Sequence, residues 1–394
     1  MKKNMLLLYT FSFLKNLMFF GAVSVPFFLH RAGLDYTGMF ILESVFSVSM
    51  IVFEIPTGVI ADKLGRRISL FLGALTFGLS FYMIGMFPSL HVLIAAEVLC
   101  GLGMTMLSGA DRALIYDILK DTGLAENSQT VFARYDGFAT AGMLLAFPAG
   151  SYLVGSGIVP YNDALGLVFV ATAAALVLAA GVILLVREPA RIKTGLHPLR
   201  QGMDGFVFIF RKPALRMFSL NFAAVSSLTF FMFWFYQTLL MRGGFPIRFQ
   251  GAVASAFNLS AALLLFLTPV IQKRISTKNM IFLTSIGPGI LYLSIAFFSG
   301  LPMAFLAIFG ITNMRMYRQP MLNSLMNENI ESGNRATVLS GVSMIERILT
   351  AMLYPVAGIL ADVSPRFAFG VLGAITIVLS IILRVEEEKI TDNS

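Results

Sequence analysis

Long apolar windows recur along the chain and are separated by short polar segments. Each window holds about 20 residues, the length that an α-helix needs to cross a hydrocarbon layer of about 30 Å. We number them as spans 1 to 12 in chain order: 5–29, 37–61, 68–87, 92–116, 135–157, 164–186, 214–239, 250–271, 279–298, 303–326, 337–361 and 366–384. The pattern therefore predicts an all-α membrane protein with twelve transmembrane helices.

The first window follows a short charged start, Met1-Lys-Lys-Asn. A secretory signal peptide would share that start but would continue into a small-residue cleavage site. No such site follows the window, and the window is long enough to span a bilayer. We therefore expect a retained first helix.

The composition agrees with lipid as the solvent of most of the chain. Of the 394 residues, 57% are hydrophobic and 13% are charged, whereas soluble proteins carry about 25% charged residues. The 29 Lys and Arg residues give a net charge of +8 but no basic stripe, so we expect no nucleic-acid partner. One cysteine, Cys100, and three scattered histidines argue against a disulfide framework, a metal centre and a cofactor.

The basic residues are distributed unevenly between the loops. With the N-terminus in the cytoplasm, twenty of the 29 Lys and Arg residues fall in loops on that side, and four fall in loops on the other side. Positive charge is enriched in the cytoplasmic loops of membrane proteins. We therefore expect a multi-pass protein of the cell (inner or plasma) membrane with both termini in the cytoplasm.

The two halves of the chain resemble each other. A shift of 207 residues places Asn127-Ser-Gln-Thr-Val-Phe on Asn334-Arg-Ala-Thr-Val-Leu, and a shift of 211 places Thr57-Gly-Val-Ile on Thr268-Pro-Val-Ile. Parallel repeats of this kind are one of the architectures of transporters, with the substrate site between the halves near the midplane. The expected domains are a six-helix bundle over 1–186, a cytoplasmic basic linker over 187–213, and a second bundle with a short tail over 214–394.

The loop between spans 2 and 3 carries the most specific motif. It reads Gly58-Val-Ile-Ala-Asp62-Lys63-Leu-Gly65-Arg66-Arg67. Gly58 permits close helix contact and Gly65 permits a tight turn. Asp62 can face a helix N-terminus or an arginine. The loop cations alone would be explained by an ordinary positive-inside loop.

The complete spacing resembles the signature loop of the major facilitator superfamily, Gly-x-x-x-Asp-Arg/Lys-x-Gly-Arg-Arg/Lys, with every position occupied. Twelve spans, a basic central linker and a six-plus-six repeat are also features of that family. The resemblance thus covers essentially the whole chain. It implies two pseudo-symmetric six-helix bundles and secondary transport by rocker-switch alternating access.

The resemblance also implies that this loop is a cytoplasmic latch, which holds the inner gate shut. The expected latch residues are Gly58, Asp62, Lys63, Gly65, Arg66 and Arg67. Asp117, at the cytoplasmic end of span 4, is the expected acidic partner. The equivalent segment of the second half, 272–278, keeps its cations but lacks the Gly and Asp positions.

Two other motifs of the family are incomplete in this chain. Glu97 stands where the family pattern of span 4 has an arginine. The antiporter pattern of span 5 is only echoed by Gly142, Pro148 and Gly150. The motif therefore does not support export by antiport, and a kink with close helix packing explains these residues equally well.

Ionisable residues within the spans are further candidates, because a charge in the bilayer is costly and faces a cavity or a partner. Glu43 and Glu54 of span 2 lie about three helical turns apart and therefore on one face. A buried carboxylate can carry a coupling proton, and the candidates for this role are Glu43, Glu54, Glu97 and Glu346. Static pairing within one half is the alternative for each of them.

The remaining polar and aromatic candidates for the gate or the substrate site are Lys15, Asn16, Asp111, Arg112, Trp234, Tyr236, Arg315, Arg318 and Arg347. Asp111 and Arg318 are equivalent under the 207-residue shift and carry opposite charges. One hypothesis is that they and their charged neighbours form ion pairs between the halves at the cytoplasmic mouth. Trp234 and Tyr236 are candidates only because span 7 of the family lines the cavity.

We therefore predict a secondary transporter of a small molecule, coupled to protons and acting as a monomer in the lipid bilayer. Efflux of lipophilic drugs or metabolites is slightly favoured on the frequencies of the family. Alternatives are transport of a small organic anion bound by the membrane-embedded Lys and Arg residues, and a membrane sensor that has lost transport. The loops are too short for a catalytic domain and contain no GxxxxGK[ST] motif, so neither an enzyme nor an ATP-driven pump is expected.

Overall fold

The computed structural model describes residues 2–189, 205, 207–211, 213–329 and 332–383. These residues form helices joined by short turns, and no strand occurs among them. The helices of spans 2 to 12 are Tyr36–Leu64, Arg66–Met86, Leu90–Leu107 with Ala110–Asp121, Ser128–Gly155, Tyr161–Leu184, Pro213–Phe230 with Met232–Arg242, Gln250–Phe266, Thr277–Phe297, Leu301–Asn329, Ser332–Val363 and Pro365–Ile382. Most of the predicted basic linker lies outside the described residues.

Ten of the described helices are long and apolar enough to cross a membrane. They belong to spans 2 to 9, 11 and 12. Span 10 is the 29-residue helix Leu301–Asn329, whose C-terminal half carries arginines and polar residues. Span 1 is helical in two pieces. The all-α fold and the succession of spans that the sequence predicts are thus found.

The prediction of one continuous helix over 5–29 was wrong. The first helix ends at Lys15, residues 16–23 form turns, and a short helical segment resumes over 24–31. The interruption is held by neighbouring helices. The Phe19 N–H donates to Thr172 Oγ1 at 3.0 Å, and the Phe19 carbonyl oxygen lies directly against the backbone of Gly150. Hydropathy alone does not reveal such contacts.

Span 4 is also interrupted, where the sequence predicted one helix over 92–116. Its first helix ends at Leu107, and the second begins at Ala110. Gly109 between them has φ of 77°, a left-handed conformation that suits glycine and cannot continue a helix. In membrane proteins, irregular backbone at membrane depth occurs where it is buried in protein or lines a cavity.

Small residues let pairs of helices approach closely at equivalent places in the two halves. A Cβ added at Gly166 of span 6 would meet the Gly85 carbonyl of span 3 at 2.6 Å. A Cβ added at Gly373 of span 12 would meet the Gly289 carbonyl of span 9 at 2.9 Å. Gly166 and Gly373 are related by the same 207-residue shift that appears in the sequence. Close backbone contact between small residues is a common basis of helix association in membranes.

Contacts divide the chain into two compact units. Unit 1 comprises the described residues of 1–34, 45–197 and 246–255, and unit 2 comprises those of 35–44, 198–245 and 256–394. The first turns of the span 2 helix therefore belong to unit 2. The first turns of the span 8 helix likewise belong to unit 1.

Two serine hydroxyls tie these first turns to their units. Within unit 2, Ser44 Oγ donates to the Ala351 carbonyl at 2.5 Å. Within unit 1, Ser255 Oγ donates to the Leu144 carbonyl at 3.2 Å. The serines are related by the 211-residue shift and the carbonyls by the 207-residue shift, so both bonds follow the internal repeat.

The core of unit 1 also holds the one cysteine of the chain. Cys100 is buried in span 4, with its Sγ 3.0 Å from Ser80 Oγ of span 3.

Candidate functional site

The loop between spans 2 and 3 places Arg66 against Asp117. Arg66 Nη1 lies 2.5 Å from Asp117 Oδ2 and also donates to the Ala113 carbonyl. Both partners are half-buried within unit 1. Asp62 and Lys63 lie exposed in the last turn of the span 2 helix. The acidic partner expected from the sequence is therefore in contact with the loop.

Glu188 is a second acidic partner of this loop, and the sequence reasoning missed it. Its Oε1 accepts from the Arg66 N–H at 2.9 Å, and its Oε2 accepts from the Arg67 N–H at 3.2 Å. The carboxylate thus occupies the N-terminus of the Arg66–Met86 helix, where free N–H groups and the helix dipole favour an anion. Its position as the first acidic residue after span 6 was the available signal.

The loop glycines differ in what they do. Gly65 has φ of 111° and makes the sharp turn between the two helices, as its place in the motif predicted. A Cβ added at Gly58 would meet no described atom within 4 Å. The close helix contact expected at Gly58 is therefore wrong for this conformation.

A buried ion pair joins the two interrupted spans of unit 1. Lys15 Nζ lies 2.7 Å from Asp111 Oδ2, and the two side chains are 17% and 11% exposed. Tyr135 of span 5 donates its hydroxyl to the same Asp111 oxygen at 2.9 Å. We call Lys15, Asp111, Tyr135 and Phe11 the Lys15 cluster. Asn16, the next residue, donates its side-chain amide to the Ser12 carbonyl at 2.8 Å.

The two charges of the pair match the helix ends that carry them. Lys15 is the last residue of the first helix of span 1, where the helix dipole favours a cation. Asp111 is in the first turn of the second helix of span 4, where the dipole favours an anion. Both interruptions therefore stabilise the ion pair.

Arg112 points away from this cluster and has its own acidic partner. Its Nη2 lies 2.9 Å from Asp136 Oδ2, and both side chains are more than half exposed. Its guanidinium also lies 5.6 Å from the centre of the Phe132 ring.

Unit 2 buries a second cluster of charge, around Arg318. This side chain is 4% exposed. Its Nη1 donates to Ser285 Oγ at 2.6 Å, and its Nη2 donates to Asn221 Oδ1 at 2.9 Å. The guanidinium carbon lies 5.4 Å from the centre of the Phe222 ring. The hydrogen-bond partners of Arg318 are thus neutral groups.

Arg315, one turn earlier on span 10, faces an acid. Its Nη2 lies 3.8 Å from Glu346 Oε1 of span 11, and its guanidinium lies 5.0 Å from the centre of the Phe230 ring. Arg347 is half-buried beside Glu346 in the chain. Asp111, Arg112, Arg315 and Arg318 therefore each bond to residues of their own unit, whereas the sequence suggested ion pairs between the halves.

The other acidic candidates lie on spans 2 and 4. Glu97 is 5% exposed and lies one turn before Gly101, which packs against the backbone of span 2. Glu43 is buried in the part of the span 2 helix that belongs to unit 2, and Glu54 is half-buried in the part that belongs to unit 1. The helix that carries both residues is thus shared between the units.

The aromatic candidates of span 7 belong to a packed cluster in unit 2. Trp234 contacts Phe40 edge-on at 6.4 Å, and the indole Nε1 has no hydrogen-bond partner among the described residues. Phe40 also contacts Phe231, Phe235 and Tyr354. Tyr236 packs edge-on against Phe257 at 5.2 Å. Aromatic packing is therefore the observed role of these side chains.

The succession of apolar helices and the charges buried between them define a multi-pass membrane transporter. Comparison with known sequences agrees, because the sequence profile of the Major Facilitator Superfamily matches residues 5–352. The chain belongs to this superfamily.

Two curated relatives come from Bacillus subtilis. An uncharacterized MFS-type transporter, YfkF, is 32% identical over 81 residues, which span 21% of either chain. Multidrug resistance protein 2 is 23% identical over 380 residues, which span 93% of this chain and 91% of the relative.

The fold is also found among solved structures. The crystal structure of a variant of the nucleoside transporter NupG superposes with a TM-score of 0.81, covers 98% of this chain and 99% of its own, and is 15% identical. This likeness shows the fold of the two proteins and says nothing of a common substrate.

Proposed function

We propose that this protein is a proton-coupled exporter of lipophilic small molecules that works by alternating access. The observation that carries the proposal is the ion pair between Lys15 and Asp111, buried where spans 1 and 4 are both interrupted. The relative that aligns with nearly the whole chain is named as a multidrug resistance protein, which favours export of several compounds.

The Lys15 cluster has the parts that coupling to protons requires. Asp111 and Lys15 neutralise each other, and an unpaired charge at this depth is costly. A proton that moves onto Asp111 Oδ2 cancels the carboxylate charge and releases the ammonium group. The other ionisable groups of the neighbouring helices are the Tyr135 hydroxyl on the same oxygen and the separate pair of Arg112 with Asp136.

Asp111 thereby joins Glu43, Glu54, Glu97 and Glu346 as a candidate proton carrier. We place it first among them because its partner, a lysine, can leave without breaking a second ion pair. The latch role of Gly58, Asp62, Lys63, Gly65, Arg66, Arg67 and Asp117 belongs to the same proposal, as do a cytoplasmic location of both termini and a monomeric state. Arg66 against Asp117 and Glu188 supports the latch role, because these contacts join three different spans.

A flux assay in proteoliposomes tests the coupling. An imposed pH gradient should drive a fluorescent lipophilic dye across the membrane, and a protonophore should abolish the movement. Asp111→Asn keeps the size of the side chain and removes its charge, so dye flux should stop responding to the gradient. Asp136→Asn, which changes an exposed carboxylate of the same kind, should leave coupled flux within about twofold. Equal response of all three proteins to the gradient would contradict the proposal.

A second function, transport of a small organic anion, is favoured by one observation. Arg318 is buried with neutral hydrogen-bond partners, and its Nε has no partner among the described residues. Burying a cation in a neutral shell is costly, which an anionic substrate would offset. Lys15 is the weaker cation for this role because Asp111 already neutralises it. Loaded in the same vesicles, organic anions in place of cationic dyes would distinguish the two functions.

A further inference from the structure

The Lys15 cluster surrounds an ammonium group as a binding site would. Lys15 Nζ lies 5.5 Å from the ring centre of Phe11 and 5.5 Å from that of Tyr135. It also lies 2.7 Å from Asp111 Oδ2 and 3.3 Å from the Tyr135 hydroxyl. Aromatic faces next to a carboxylate attract organic cations, because the ring quadrupole and the negative charge act together.

The acidic side of this site is held independently of Lys15. Asp111 Oδ1 accepts from the Arg112 N–H at 2.7 Å, and Asp111 Oδ2 accepts from the Tyr135 hydroxyl. Tyr135 is in turn fixed by its helix, whose backbone carbonyl at the same residue accepts from Ser12 Oγ at 2.8 Å. The carboxylate and the aromatic rings therefore keep their places if the lysine leaves.

Lys15 itself is the movable member of the cluster. Its ammonium is a compact charge on a flexible four-carbon chain, and its side chain is 17% exposed. It follows the last helical turn of span 1, so a change of rotamer moves the charge without moving a helix.

We propose that Asp111, Tyr135 and Phe11 form the binding site of a lipophilic monovalent cation, and that Lys15 occupies this site in the unloaded protein. The inference rests on the proposed function, since it names the charge class of the exported compound. Arriving substrate displaces the ammonium group of Lys15 and takes over its contact with Asp111. The empty site is thereby never left with an unpaired carboxylate.

Equilibrium binding to the purified protein tests this site without any transport. The probe is tetraphenylphosphonium, and tetraphenylborate, which has the same shape and the opposite charge, is the matched control. Tetraphenylphosphonium should bind the unmodified protein and tetraphenylborate should not compete. Lys15→Met removes the competing cation, so affinity for tetraphenylphosphonium should rise about tenfold, because an internal competitor lowers the fraction of competent sites.

Two further variants keep the test sharp. Asp111→Asn should weaken binding of tetraphenylphosphonium at least tenfold, and Asp136→Asn should leave it unchanged. If Lys15→Met fails to fold because it strands the carboxylate, the double variant Lys15→Met with Asp111→Asn restores neutrality, and it should fold without binding the probe. Unchanged affinity in Lys15→Met or in Asp111→Asn, or retained binding in the double variant, would overturn the inference.

The outcomes separate this inference from the proposed function. Binding that follows the predicted order, together with dye flux that ignores the pH gradient, would leave the cation site standing and remove proton coupling. Coupled flux together with binding that is insensitive to both Lys15 and Asp111 would leave the transporter standing and remove the site.

Discussion

Gly150 shows how a single residue shapes the interior of unit 1. A Cβ added there would lie 1.8 Å from the Phe19 carbonyl oxygen, in the turn that interrupts span 1. Nearby, a Cβ at Gly142 would lie 2.6 Å from the Phe13 carbonyl. Both glycines belong to the weak antiporter pattern of span 5, and both serve close packing against span 1. Their proximity to the Lys15 cluster makes them part of its scaffold.

Gly150→Ala should therefore destabilise the protein by about 1–3 kcal/mol, because a methyl group has no room and the backbone must shift. Gly181→Ala is the matched control, since a Cβ there meets nothing within 4 Å. In a helix interior this control should be neutral or stabilising by about 0.5–1 kcal/mol. Thermal unfolding of the two variants in detergent measures the difference. Equal midpoints would show that span 1 adjusts freely around Gly150.

Single residues were the least predictable level of the candidate site. The sequence indicated that Lys15 and Asp111 were unusual, because charges are rare within spans. Their pairing was not predictable, since they are 96 residues apart and the helices that carry them end unexpectedly. Hydropathy reports length and apolarity, whereas the interruptions depend on packing partners such as Thr172 and Gly150.

At the scale of helices, a common feature is an N-terminus that receives its anion from elsewhere in the chain. Glu188 accepts both N–H bonds at the start of the span 3 helix. Within unit 2, Asp362 of span 11 accepts from the N–H groups of Tyr36 and Thr37, at 2.8 and 2.9 Å, at the start of the span 2 helix. Neither pairing follows from local capping rules, which consider only residues next to the helix.

Glu188→Ala should destabilise the protein by about 1 kcal/mol, the usual effect of losing a helix cap. Glu126→Ala changes an exposed glutamate on the same predicted side of the membrane and should stay within about 0.5 kcal/mol of the unmodified protein. Chemical unfolding of both variants measures these changes. A Glu188→Ala protein as stable as the control would mean that water satisfies the N-terminus of the span 3 helix equally well.

At the scale of the whole molecule, the internal repeat was the best guide that the sequence offered. Shifts of 207 and 211 residues, found from short matches, also relate Gly166 to Gly373 and the Ser44 bond to the Ser255 bond. A repeat predicts equivalent places, and packing contacts conserve those places. It does not predict charge, because Asp362 is equivalent to Gly155, which has no side chain to cap a helix.

The first turns of spans 2 and 8 should change neighbours during the proposed cycle, because each is part of a helix shared between the units. Joining Ser44→Cys to Ala351→Cys, or Ser255→Cys to Leu144→Cys, with a thiol oxidant should therefore stop dye flux in vesicles, and a reductant should restore it. Ser69→Cys with Met106→Cys repeats the serine-to-carbonyl contact between spans 3 and 4 of unit 1. Flux should survive that crosslink, and survival after all three would argue against a moving seam.

Such experiments benefit from the place of Cys100. It is the one cysteine of the chain, and its thiol is buried beside Ser80 Oγ. A reagent that attacks exposed thiolates reacts poorly with a thiol in such surroundings. Spin labels or fluorophores attached to introduced cysteines should then report from chosen positions alone, with the native residue left in place. The protein is thus already suited to distance measurements on its working cycle, without the cysteine-less background that most membrane transporters first require.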